Sequence, residues 1–171
     1  MDTKFNLIQK VVTLEPKNIV FTPLKGEFVA ENYMKAWQLL WDFIKAARCK
    51  NDSEIEEYCR ECRCEYLSTY NNDPRVADAA HPSANICFAL NDKFEPKGDV
   101  FTGTIGGGKY AVFTYVGPYE NLGLVYAEIF SKHLHECGLQ IREGICFDKY
   151  CNDPEAQKPE DFVTELNIPV K

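Results

Sequence analysis

Three groups of residues have types and spacings that could do chemistry. In Tyr58-Cys59-Arg60-Glu61-Cys62-Arg63-Cys64 the C-x2-C-x-C spacing could set three sulfurs around one metal ion, with Cys49 as a fourth ligand. Structural zinc sites use paired C-x2-C knuckles or add a histidine, and no histidine is close in sequence, so no metal or other cofactor is assigned here. The run Gly106-Gly107-Gly108-Lys109 suggests a phosphate loop. Such a loop needs a helix after it and a Ser or Thr after the lysine, whereas Tyr110-Ala111-Val112-Phe113 reads as a strand, so the glycines are expected to make a tight connection. His133 and His135 are two apart on a helix, hence on different faces, and cannot share a metal, while His81 precedes Pro82 in a loop. No Cys-His or Ser-His-Asp arrangement follows from spacing, and whether the chain is an enzyme stays open at this point.

The elements that position these residues belong to one ordinary domain, 1–171. With 45% of residues hydrophobic and 26% charged, the composition is that of a chain that folds. Aromatic residues make up 13%, so either the core or a ligand groove is rich in rings. The balance of 19 Lys+Arg against 26 Asp+Glu, a net −7, repels polyphosphates and argues against sequence-independent nucleic-acid binding. A small organic cation or a basic protein surface would be attracted. No stretch approaches the ~18 apolar residues of a membrane span, and the start lacks a signal-peptide run, which predicts a cytoplasmic protein with no membrane partner. Its eight cysteines are then reduced thiols, and Cys87, Cys146 and Cys151, in or beside apolar strand-like runs, act as small hydrophobes.

The chain echoes itself. Val20-Phe21-Thr22 returns as Val112-Phe113-Thr114, and Tyr70-Asn71-Asn72-Asp73-Pro74 as Tyr150-Cys151-Asn152-Asp153-Pro154, at spacings of 92 and 80 residues. Val11 to Leu14 and Asn18 to Leu24 read as strands with Pro16 at a turn between them. From Glu31 to Arg48, Tyr33, Trp37, Leu40, Ile44 and Ala47 follow the spacing of one helical face, with Trp41 beside Trp37. A second helix is expected from about Asn121 to Cys137, stopped by Gly138. The expected fold is α+β: tandem duplicated β-α-β-β units, about 5–92 and about 99–171. Their antiparallel sheet carries two long helices, and a central groove lies on a pseudo-twofold axis.

Gly107-Gly108-Lys109-Tyr110-Ala111-Val112-Phe113, then Gly117-Pro118-Tyr119, Asp153-Pro154 and Thr164-Glu165-Leu166-Asn167-Ile168-Pro169-Val170 resemble the gyrase-inhibitor-like, or effector-binding, domain of bacterial multidrug-responsive activators of the AraC and MerR types. Asn72-Asp73-Pro74-Arg75-Val76 is similar to the same family, and the resemblance covers about Lys17 to Val170. Too few residues precede Lys17 for a DNA-reading helix-turn-helix, so a freestanding member with no direct nucleic-acid contact is expected. Such members include a gyrase inhibitor, drug binders and hydrolases of cyclopropane-bearing natural products.

The resemblance implies a groove that binds amphipathic organic cations between aromatic rings and a glutamate of the last strand. By motif match that glutamate is Glu165 and the turn aromatic is Tyr119; the 80-residue offset sets Asn85 opposite Glu165, so only one half supplies a charge. In this strand Glu165, Asn167 and Pro169 share one face and Leu166, Ile168 and Val170 the other, which turns Glu165 towards the groove if the apolar set packs under the helices. Trp37 is expected on the groove wall, with Phe28, Tyr33 and Phe147 as further ring candidates. Three functions follow: a sequestering or sensing binder of cationic molecules, a hydrolase with Glu165 as general base and Tyr119 positioning the substrate, or a protein inhibitor of a topoisomerase-like partner.

Overall fold

A computed structural model describes residues 4–70 and 84–171; the Asp73-Pro74 and His81-Pro82 features fall outside the described residues. Eight strands form one antiparallel sheet: β1 (Ile8–Leu14), β2 (Lys17–Pro23), β3 (Glu65–Tyr70), β4 (Ala84–Ala89), β5 (Phe101–Ile105), β6 (Gly108–Val116), β7 (Phe147–Tyr150) and β8 (Val163–Pro169). Their order is β1-β6-β8-β7-β3-β4-β2-β5. Three helices accompany them: α1 (Ala30–Arg48), the short α2 (Ile55–Glu61), which the sequence reading does not contain, and α3 (Leu122–Glu128). The last continues through a π turn (Ile129–His133) into a final α-helical turn (Leu134–Glu136).

The two ends of the sheet are one ribbon. The ladder that runs from Ile8↔Thr114 to Leu14↔Gly108 resumes as Lys17↔Ile105 to Phe21↔Phe101 without a change of register. Pro16 cannot donate to the ladder, and Gly106-Gly107 faces it, so both strands bend together there. A Cβ at Gly107 would lie 2.5 Å from the Leu14 carbonyl oxygen and 2.9 Å from the Pro16 ring. The turn at Pro16 and the glycine connection are therefore two sides of one bend. Through this corner the sheet curls on itself, and its inner face gathers Ile19, Leu67, Cys87, Ile105, Tyr110, Val112 and Phe147 into one cluster.

The outer face carries the helices. On α1, Ala36, Leu40 and Ile44 repeat every fourth residue and pack on Val20, Ile86 and Phe88; Glu31 in the first turn and Lys45 and Arg48 in the last oppose the helix dipole. Ala47, placed on the same stripe by spacing, is exposed. On α3, Val125, Tyr126 and Ile129 pack on Phe113, Leu166 and Ile168, and the helix stops at Gly138 with φ 65°. Outward from the central β7·β3 pair, β8 and β6 on one side match β4 and β2 on the other, the arrangement that a β-α-β-β repeat produces. The sheet centre between the two helical cores is spanned by Tyr70, which packs on both.

Gly107→Ala is expected to lose about 2 kcal/mol or more, since the backbone of Leu14 cannot step aside. Gly106→Ala, whose Cβ would meet nothing within 4 Å, should stay within about 0.5 kcal/mol of the parent in urea unfolding.

Candidate functional site

At the sheet centre Ser68 on β3 pairs with Asp148 on β7, and Tyr66 with Tyr150. Alternation turns all four side chains, with Tyr70, to the helix face. Asp148 is fully buried. The Tyr70 hydroxyl donates to its Oδ2 at 2.6 Å, and the Tyr126 hydroxyl, from α3, donates to Oδ1. No cationic side chain among the described residues pairs with it. Burial pushes the Asp148 carboxyl up to about 6, and the two tyrosine bonds pull it part of the way back. Ser68 and Tyr150 bond through their hydroxyls at 2.6 Å, while the Thr164 Oγ1, across from Tyr150 on β8, is buried without a partner.

Rings surround this carboxylate. From α1, Trp37 stacks on Phe88 at 5.5 Å and meets Tyr66 and Tyr150 edge-on at 6.1 Å. Tyr119, at the turn that leads into α3, packs edge-on against Tyr150 at 5.3 Å and stacks on Phe162 at 4.5 Å. Tyr33, one turn before Trp37, is raised to about 12 by burial and by the nearby Asp148 charge. Tyr33, Trp37, Tyr66, Tyr119 and Tyr150 are each half-buried, so their rings form a surface lying over a buried charge.

Three of the ring residues expected from sequence, Trp37, Tyr33 and Tyr119, thus come together, and exposed Phe28 adjoins Tyr33 at 6.1 Å. The other expected residues do not join them. Glu165 pairs in register with Lys149 and Thr114 and lies on the sheet face turned away from the helices. Leu166 and Ile168 pack under α3, which leaves Glu165 on the opposite face as the alternation predicts, while the ring cluster lies on the helix face. Lys149 is instead tied to Glu65 at 2.8 Å, and Glu65 to Lys17 at 2.5 Å. Phe147 is buried in the inner cluster, and half-buried Asn85 stands opposite Thr69 on the inner face. Asp148, Tyr150, Tyr70, Tyr126 and Tyr66 escaped the sequence reading, although an aspartate inside Cys146-Phe147-Asp148 is the buried-polar signal that could have found the site.

Cys87 and Cys146 are buried as expected, whereas Cys151 is exposed just past the end of β7. Among the described residues no group of three or more His, Cys, Asp or Glu side chains is placed to hold a metal ion, and no helix is long and apolar enough to cross a membrane.

Residues 10–171 match the GyrI-like small molecule binding domain, and the chain belongs to that family. Solved structures agree on the fold. EcmrR, in a complex with DNA, is 13% identical with a TM-score of 0.69; the match covers 96% of this chain and 57% of that longer one, so the chain spans a little over half of it. A hydrolase from Listeria innocua is 15% identical with a TM-score of 0.62 over 95% of this chain and 91% of its own. SAV2435, bound to tetraphenylphosphonium, is 14% identical with a TM-score of 0.54 over 96% and 94%. No curated protein matches the chain.

The raised Asp148 value has a consequence for stability. Unfolded, the carboxyl titrates near 3.9; folded, at about 6, so between these values the folded state holds the extra proton. Stability therefore falls as pH rises through that window, by up to roughly 3 kcal/mol. Asp148→Asn should remove this slope in urea unfolding from pH 4 to 7.5, and parallel curves for parent and variant would mean that the buried charge costs nothing.

Proposed function

We propose that the chain is a receptor for small amphipathic organic cations, which lie against Tyr33, Trp37, Tyr66, Tyr119 and Tyr150 with Asp148 as the counter-charge. The observation that carries the reading is the fully buried Asp148 carboxylate, bonded by two tyrosines and matched by no cation among the described residues. At pH 7 a carboxyl with a value of about 6 is mostly ionised, so the charge is present and no cation among the described residues offsets it. A cation over a ring face gains roughly 0.5–2 kcal/mol per good contact. A carboxylate ~5 Å away adds about 3 kcal/mol at an effective dielectric of 20. Rings thus supply area, and the acid supplies the preference for positive charge. The net charge of −7 draws the same ligands towards the molecule. The tetraphenylphosphonium complex of SAV2435 supports the choice of a lipophilic cation.

A hydrolytic reading uses the same group. A carboxyl near 6 among hydroxyls is suited to general acid–base work, and the Listeria innocua neighbour is described as a hydrolase. It requires turnover of a strained electrophile with a rate that follows the Asp148 titration.

Titration with tetraphenylphosphonium, read by tryptophan fluorescence and calorimetry, tests the receptor. Asp148→Asn should weaken binding at least tenfold at pH 7.5, and Trp37→Ala several-fold. Glu165→Gln should leave it unchanged. For the parent, affinity should fall about tenfold per pH unit below pH 6, because the cation binds the ionised acid. Loss in Glu165→Gln with retention in Asp148→Asn would return the counter-charge to the last strand and overturn the assignment.

A further inference from the structure

The cysteine cluster is arranged by a helix end rather than by its spacing alone. Helix α2 ends in a Schellman turn: the Cys64 N–H donates to the Cys59 carbonyl at 2.9 Å and the Arg63 N–H to the Arg60 carbonyl at 3.3 Å, with Arg63 left-handed at φ 53°. This turn brings together the side chains of its first and last residues, usually as an apolar contact. Here both are cysteines, so the turn sets two free thiols side by side at the helix end. Both line a hollow of about 300 Å³ with Trp41, Glu56, Arg60 and Tyr66. Cys62, between them in sequence, is not among the residues that line this hollow.

We propose that Cys59 and Cys64 form a reversible dithiol–disulfide site, closed by exchange with a low-molecular-weight disulfide of the glutathione class that enters the hollow beside Trp41 and Tyr66. Cys59 is the attacking sulfur, since donation from Cys64 and Tyr66 favours its thiolate and holds it below the usual thiol range. Its thiolate bonds to one sulfur of the reagent, the reagent S–S bond breaks, and one thiolate leaves. Cys64 then attacks the Cys59 sulfur of the mixed disulfide, the protein S–S bond forms, and the second thiolate leaves. The protons of Cys59 and Cys64 end on the two departing thiolates, so two protein thiols are oxidised and one small disulfide is reduced to two thiols. The site shares only Tyr66 with the cation surface, and its test does not pass through ligand binding.

The whole protein is incubated with oxidised glutathione, blocked with N-ethylmaleimide under denaturing conditions and digested. Trypsin, cutting after Lys50, Arg60, Arg63 and Arg75, leaves Cys59, Cys62 and Cys64 on separate peptides. The expected product is peptide 51–60 linked to peptide 64–75, at least tenfold above any other linkage, with Trp41 emission falling and returning on reduction. Cys64→Ser should stop at a glutathione adduct on Cys59. Recovery of both cysteines as maleimide adducts from the parent protein, or a link through Cys62 or Cys49, would show that the pair is only the apolar contact of a helix end and would overturn the proposal.

Discussion

One carboxylate has been taken out of water at the middle of the sheet. Removing an ion of this size from water costs several kcal/mol even after the surroundings relax. Two hydrogen bonds to a charged acceptor return about 1.5–3 kcal/mol each, which offsets most of that cost and leaves the carboxyl still raised, to about 6. The constraint propagates outward. Tyr70 must end β3 on the helix face, Tyr126 must lie on the buried stripe of α3, and Ser68 must face Asp148 across the ladder. These residues come from β3 and α3 and the acid from β7, so the geometry of the acid depends on elements far apart in sequence.

A sheet that leaves its central strands between two helical cores gives up packing there, and the bent ribbon compensates. By running β1 into β2 and β5 into β6 in one register, the chain curls its sheet around an inner cluster that includes Tyr110, Phe147 and Leu67, all fully buried. The strands beneath Asp148 are thus anchored from the inner side. This is why a glycine with no room for a Cβ is required at position 107, far from the rings.

Periodicity over long segments was readable. The stripe of α1, the stop of α3 at Gly138 and the alternation of β8 all follow from residue spacing, and Leu166 and Ile168 do lie under a helix. What spacing does not specify is which face of a two-sided sheet carries the ligand surface. Both faces of this sheet are apolar, one against helices and one against itself, so alternation in β8 sets the face of Glu165 without saying which face carries rings. Strand β7 has four residues, too few for an alternating pattern to emerge, and its Asp148 and Tyr150 were hidden among turn signals. The echo of Tyr70 in Tyr150 lies as much in its rings as in its asparagines and proline. Its rings, which lie on the helix face beside the acid, carried the more useful information. Likewise C-x2-C-x-C suggested a metal, because sequence distance does not reveal that a left-handed Arg63 folds Cys64 back onto Cys59.

The residues of the central pair, Ser68 and Asp148, are 80 apart, the offset at which Tyr70 returns as Tyr150. They are the pair that the repeat expected from the sequence would set across its axis. Two aspartates there would stand directly across a ladder, within about 5.5 Å at Cα, where like charges drive one carboxyl to keep its proton. Such a pair would hold a single charge and spend the second acid on sharing a proton. With serine on one side, the full charge resides on Asp148, while the Ser68 hydroxyl bonds to Tyr150 and fixes a ring of the surrounding cluster. The difference between Ser68 and Asp148 at this one pair leaves the centre of the sheet with a single acid.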